Sequence, residues 1–203
     1  MIVIVDYGMG NLRSVSKAFE AVGVPVRVTR DKAEVQAADR LIVPGQGAFG
    51  DAVKELHACG LWDSVLEHLA SGKPFFGICL GLQLLMEGSE EAPGVEGFGH
   101  FRGRCRLLRV SGKVPHMGWN QLRYRRPDCP LFAGLDDPPF FYFAHSYYAD
   151  PQEPDCIAAT TDYEVEFPVV LWRGNVVAVQ FHPEKSQQAG LRVIRNFLEW
   201  NGR

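Results

Sequence analysis

The sequence has no pair of cysteines at C-x-x-C spacing, no apolar run long enough to cross a membrane, and little net charge. Each absence closes off a class of protein. The five cysteines, Cys59, Cys79, Cys105, Cys129 and Cys156, are odd in number and unevenly spaced, which argues against a disulfide framework or a structural zinc site. No stretch approaches the ~20 apolar residues that a membrane helix requires. The apolar N-terminal residues 1–5 are broken at once by Asp6, Gly8 and Gly10 and carry no basic segment, unlike a signal peptide. A net charge of -3, with Lys and Arg spread along the chain, leaves no electrostatic footprint for nucleic acid or an anionic membrane. These features lead us to expect a soluble, cytoplasmic chain.

What is present is enough apolar material for one substantial core: 46% of the 203 residues are hydrophobic, consistent with a single domain over residues 1–203. Residues 1–5 read as a buried strand, followed by a glycine-rich turn and a helix with Leu12, Val15, Phe19 and Val22 on one stripe, ended by Gly23. Residues 25–29 alternate as a second strand, and Asp31 with Glu34 has the form of a capping box. Residues 40–43 give a third strand, 52–59 and 61–70 two helices, 74–78 a fourth strand, and 80–87 a further helix.

Strands alternating with helices argue for βαβ units and a parallel sheet. Beyond residue 98 the pattern turns strand-rich, at 101–110, 140–148, 156–160, 169–172 and 176–181, before an amphipathic helix over 187–200. The expected fold is α/β, an open mixed but mostly parallel sheet flanked by helices. Residues 87–99 read as a loop.

One cysteine has unusual surroundings. Gly77-x-Cys79-x-Gly81 has the spacing of a nucleophile elbow, where a strand turns sharply into a helix and small neighbours permit a strained backbone. A cysteine at a helix N-terminus is favoured as thiolate. The N–H of Leu80 is then one half of an oxyanion hole, and the Gly45-Gln46-Gly47 loop, after another strand, a source for the second donor. The other four cysteines lack this context and read as small buried hydrophobes.

A base is offered by the strand that ends in His182-Pro183-Glu184. In extended chain, residues i and i+2 face the same way, so Glu184 is placed to fix the tautomer of His182 and stabilise its imidazolium.

These residues resemble the class I glutamine amidotransferase family, on Gly77-x-Cys79-x-Gly81-x-Gln83 and the distant His182-Pro183-Glu184. The flavodoxin-like fold of that family is the one expected above. Further segments, from Asp6 to Leu12, Pro44 to Phe49, Pro115 to Asn120, His145 to Tyr147 and Gln180 to Ser186, resemble one branch, the glutaminases serving imidazole glycerol phosphate synthase in histidine biosynthesis.

The resemblance implies a Cys79, His182, Glu184 triad that hydrolyses glutamine to glutamate and ammonia through a thioester. It implies that Gln83 holds the amino-acid end of the substrate, that Gly47 and Leu80 bracket the oxyanion, and that Ser146 and Tyr147 line the pocket. It implies a (β/α)₈-barrel cyclase subunit as heterodimer partner, with Asn11, Trp119, Tyr142 and Lys185 near the docking face. It calls for no cofactor and no metal. Gln46 departs from the family pattern, which has a small aliphatic residue there. The triad alone does not separate this branch from class I glutaminases serving another ammonia-using synthase; nor does an elbow cysteine by itself exclude a peptidase, an esterase or a non-catalytic binding subunit.

Overall fold

The computed structural model describes residues 1–135 and 139–203. The chain runs β1 (Ile2–Val5), α1 (Leu12–Ala21), β2 (Arg27–Thr29), α2 (Lys32–Ala37), β3 (Arg40–Gly45), α3 (Phe49–Ala58), α4 (Trp62–Ala70), β4 (Phe75–Cys79) and α5 (Leu80–Gln83). It continues through β5 (Met86–Ser89), β6 (Ala92–Glu96), β7 (Phe101–Leu107), β8 (His116–Gln121), β9 (Arg123–Tyr124), β10 (Phe140–His145), β11 (Tyr147–Pro151), β12 (Ile157–Tyr163), β13 (Val165–Arg173), β14 (Val176–Val179) and α6 (Gln187–Glu199).

The main sheet has the order β2-β1-β3-β4-β14-β13-β12-β9. Its first five strands are parallel, and β13, β12 and β9 add to the β14 edge in antiparallel fashion. The central strands are apolar at successive positions because helices cover both faces. Val3, Val5, Leu41, Val43 and Phe75 pack with Val35, Leu56 and Val65 of α2, α3 and α4 on one side. Ile4, Ile42, Phe76, Val177 and Val179 pack with Phe19 of α1 and Ile194 and Phe197 of α6 on the other. Phe76 stacks on Phe197 at 4.9 Å, and burying one such ring contributes about 1.5–3 kcal/mol.

Local chemistry sets the helix ends. Asn11 caps α1 by accepting from the Ser14 N–H at 3.2 Å, and Gly23, at a φ of 86°, closes it. The expected capping box is half made. Asp31 accepts from Glu34 N at 2.9 Å, but Glu34 is drawn to the guanidinium of Arg27, and the Asp31 N–H donates to Thr29 Oγ1 instead.

Three expectations are corrected. The helix after Cys79 is a single turn, because the carbonyl of Leu84, which a continuing helix would bond to residue 88, accepts from Phe98 N at 2.7 Å. Residues 87–99 are not a loop; they hold most of β5 and all of β6, joined to β7 and β11 in a second sheet of order β11-β7-β5-β6. Residues 140–148 are two strands in different sheets, since β10 pairs with β8 and, past Ser146, β11 pairs with β7. Strand β8 was not foreseen.

The sheet register places the chemistry. Gly45 of β3 lies beside Cys79 of β4, and Val179 of β14 beside Ile78, so three strand ends open at one edge. Sites in open parallel sheets gather at such carboxyl ends.

Candidate active site

Cys79 adopts a φ of 54°, one of few non-glycine residues with positive φ among those described. The neighbours make that turn possible. A Cβ on Gly81 would lie 1.8 Å from the Val43 carbonyl oxygen, and one on Gly77 would lie 2.8 Å from the Gly81 oxygen. Only hydrogen fits at either place, so β4 passes into α5 with the Cys79 side chain turned toward the cleft.

His182 is held by three elements. Its N–H donates to the Tyr142 carbonyl of β10 at 2.9 Å, and its own carbonyl accepts from Ser186 Oγ at 2.6 Å. Its Nδ1 lies 2.9 Å from Glu184 Oε1, with both side chains 2% exposed. The i, i+2 relation was expected from extended chain, but it arises in a 3₁₀ turn, Pro183–Lys185, entered from an extended His182. With Nδ1 on the carboxylate, Nε2 is the nitrogen left free to face Cys79, which lines the same cleft. Burial works against the imidazolium; the hydrogen bonds to Cys79 and Glu184, with the negative charge of both, outweigh it and hold His182 well above its ordinary range.

Since α5 has one turn, its aligned peptide dipoles are few, and the polar surroundings of the Cys79 sulfur come chiefly from side chains. These are His182 and, at 3.6 Å, the carboxamide nitrogen of Gln180. Burial pushes the thiols of Cys129 and Cys156 up to about 12 and about 11, and that of Cys105 higher still.

The sulfur opens into a cleft of about 330 Å³ that Gly47, Leu80, Gln83, Ser146 and Tyr147 all line, so the structure brings every expected substrate residue together around Cys79. Gln46 lines it too. Two further residues have no role assigned by the sequence: Glu91, whose Oε2 accepts from Phe49 N at 2.8 Å at the cleft, and Gln180, fully buried, which lies in a segment that carries the family resemblance. Glu91 fell within the stretch read as a loop, and only its acidity beside a helix start marks it out.

Of the residues expected at a docking face, Trp119 is 47% exposed and packs edge-on to Tyr142 at 6.2 Å, while Lys185 sits over that tyrosine with Nζ 5.7 Å from the ring centroid. Lys185 also reaches the cleft. Asn11 lies at the same sheet edge, in a small crevice with Gln46 and Glu184. Among the described residues there is no group of three His, Cys, Asp or Glu side chains arranged to hold a metal, and no helix is long and apolar enough to cross a membrane.

Chemically, a sulfur paired with an imidazole that is itself paired with a buried carboxylate is equipped for nucleophilic attack on an acyl carbon. Comparison with known proteins agrees. The chain is 52% identical over 210 residues to "Imidazole glycerol phosphate synthase subunit HisH" of Syntrophotalea carbinolica, covering 97% of this chain and 98% of that one. It is 50% identical over 198 residues to the protein of the same name from Moorella thermoacetica, covering 98% and 94%. Its fold matches a crystal structure described as a glutamine amidotransferase, with a TM-score of 0.76, 23% identity and 98% of each chain covered. The family model "Glutamine amidotransferase class-I" matches residues 3–200, and the chain belongs to that family.

Proposed function

We propose that this chain is the glutaminase subunit of imidazole glycerol phosphate synthase, a single catalytic unit that hydrolyses glutamine and passes the ammonia to a (β/α)₈-barrel cyclase in the cytoplasm. The observation that carries the chemistry is His182 fixed on Glu184 at 2.9 Å in the cleft that Cys79 also lines. The assignment to this synthase is supported by relatives of that name about half identical over nearly their whole length.

In this reading Cys79 is the nucleophile, His182 the acid and base, and Glu184 the group that orients His182. The sulfur attacks the carboxamide carbon of glutamine, and the oxygen takes up charge facing the N–H groups of Leu80 and Gly47. The tetrahedral adduct collapses as the His182 imidazolium protonates the departing nitrogen, leaving ammonia and a glutamyl thioester. Water then loses a proton to His182 as it attacks the thioester, and glutamate leaves with the sulfur regenerated.

Gln83, Ser146 and Tyr147 hold the amino-acid end of the substrate. Glu91, which also lines the cleft, supplies a negative charge suited to the α-ammonium group. Lys185 lines the cleft and sits over Tyr142, against which the exposed Trp119 packs, and the partner would seat on this side.

The test is reconstitution. The purified chain, mixed with the histidine-pathway barrel cyclase of the same organism, is expected to drive glutamine-dependent formation of imidazole glycerol phosphate, and Cys79→Ala to abolish it while added ammonia still supports the cyclase. Glutamine hydrolysis with no transfer to that cyclase would remove the synthase assignment and leave the glutaminase.

A further inference from the structure

A directional chain of hydrogen bonds runs behind the nucleophile. Gln83 Nε2 donates to the Tyr147 carbonyl at 3.0 Å and also to Gln180 Oε1 at 3.4 Å. Gln180 Nε2 then donates to Cys79 Sγ at 3.6 Å. A backbone carbonyl only accepts, which settles which end of the Gln83 amide faces it. That in turn settles Gln180: with its amide turned over, oxygen would face sulfur and two NH₂ groups would face each other.

Gln180 has no solvent exposure, and it stands one residue beyond β14, so its backbone is fixed by the sheet. A buried carboxamide is costly to retain unless its polar atoms are bonded. Here one donor bond ends on the reacting sulfur. The Gln83 carboxamide spends its NH₂ on Tyr147 and Gln180, leaving Oε1 to take a substrate ammonium.

We propose that Gln180 is a further catalytic residue, a fixed N–H donor that stabilises the Cys79 thiolate and links it to the substrate-holding Gln83. The donor is charge-assisted whenever the sulfur is ionised, and hydrogen bonds in such a chain polarise one another, so an ammonium on Gln83 Oε1 strengthens the N–H that faces sulfur. His182 moves the proton; Gln180 holds the electron pair in place once the proton has gone. This role rests on Cys79 being the nucleophile.

The test uses Gln180→Met, which keeps the side-chain length without a donor, and Gln180→Leu, which keeps most of the volume with neither donor nor charge. Iodoacetamide alkylation of Cys79 is followed by mass spectrometry across pH, beside glutamine hydrolysis in the reconstituted complex. Both variants are expected to displace the alkylation profile upward by about one pH unit, a tenfold loss of thiolate at a given pH, and to lower kcat with KM for glutamine within about twofold.

A merely structural role would lower the folded fraction or raise KM without moving the profile. If Gln180→Met does not fold, the uncharged Gln180→Leu, which also lacks a donor, gives the same reading. Profiles that superimpose on wild type overturn the role of Gln180 while Cys79→Ala remains inactive. Full hydrolysis by Cys79→Ala overturns the underlying assignment instead.

Discussion

The imidazole Nδ1 of His182 stands 2.9 Å from Oε1 of Glu184, while Oε2 of the same carboxylate is buried with no hydrogen-bond partner. The carboxylate is therefore committed to one ring. Replacing Glu184 by Gln keeps an acceptor for Nδ1 and removes the charge that helps raise His182. We expect kcat/KM for glutamine to fall by about 10²- to 10⁴-fold, as when a triad carboxylate becomes an amide.

The pH dependence has a definite sign. A histidine raised in the folded state contributes stability that is complete below its ordinary value and lost as pH rises through the folded one. Glu184→Gln should bring that alkaline loss to lower pH, read from urea midpoints across pH. A variant with wild-type kcat/KM would show that the contact is not catalytic.

The opposite sign applies to a second pair of histidines. His145 Nδ1 lies 2.9 Å from the Tyr147 carbonyl and so carries its proton there; its Nε2 accepts from His116 Nδ1 at 3.0 Å, and His116 Nε2 accepts from Asn120 at 3.2 Å. Both rings are neutral in this chain of donors. Burial lowers His116 to about 4, and burial with the neighbouring His116 lowers His145 to about 3. Between those values and the ordinary ~6.5 the unfolded chain binds protons that the folded one does not, so stability falls as pH falls.

Phe at 116 would fit the stack between Phe143 and Tyr163 while removing one titrating ring. His116→Phe is expected to cost about 1–3 kcal/mol at neutral pH, from the acceptor left unpaired on His145. Its urea midpoint should decline less than that of wild type between pH 7 and pH 4. An unchanged slope would contradict the neutral pair.

Two glycines separate steric exclusion from backbone strain. Gly81 has the Val43 oxygen 1.8 Å from where a Cβ would stand, whereas Gly94, at a φ of 82°, has nothing within 4 Å. Gly94→Ala should cost only the ~1–2 kcal/mol of a left-handed residue. Gly81→Ala must move β3 or α5, and we expect a loss above about 4 kcal/mol together with loss of activity. Thermal unfolding and glutamine hydrolysis measured on both variants check the contrast; equal effects would mean that the elbow can relax.

Those glycines explain how much was legible in advance. The elbow is written in residue types, because only glycine satisfies the spacing on either side of Cys79, and the parallel half follows from apolar runs between helix stops. The second half reads poorly. β5 and β6 contain Gly88, Pro93 and Gly94, which read as loop, because their pairing is set by carbonyls near α5 and by β7 rather than by propensity. β8 is masked in the same way by Pro115 and Gly118. Gln180 looked like one polar residue in an apolar run, and nothing in the chain order places it against a sulfur about a hundred residues earlier.

The two-stranded sheet of β8 and β10 has one face in the core and one in solvent. His116, Phe141, Phe143 and His145 are buried, and by alternation Met117, Trp119, Phe140 and Tyr142 share the opposite face, where Met117 is 63% and Phe140 51% exposed. Met117 also lines the cleft that holds Cys79, so this apolar face adjoins the proposed site of glutamine hydrolysis. If it seats the barrel cyclase, Trp119 is its aromatic anchor. Trp119→Ala should then leave the isolated chain within about 0.5 kcal/mol of wild type, as surface changes usually do. It should weaken binding to the cyclase by roughly 30-fold or more, the range of a truncated interface hot spot. Calorimetric titration of the two subunits measures the second quantity and urea unfolding the first. Unchanged affinity with unchanged stability would move the docking surface elsewhere on the molecule.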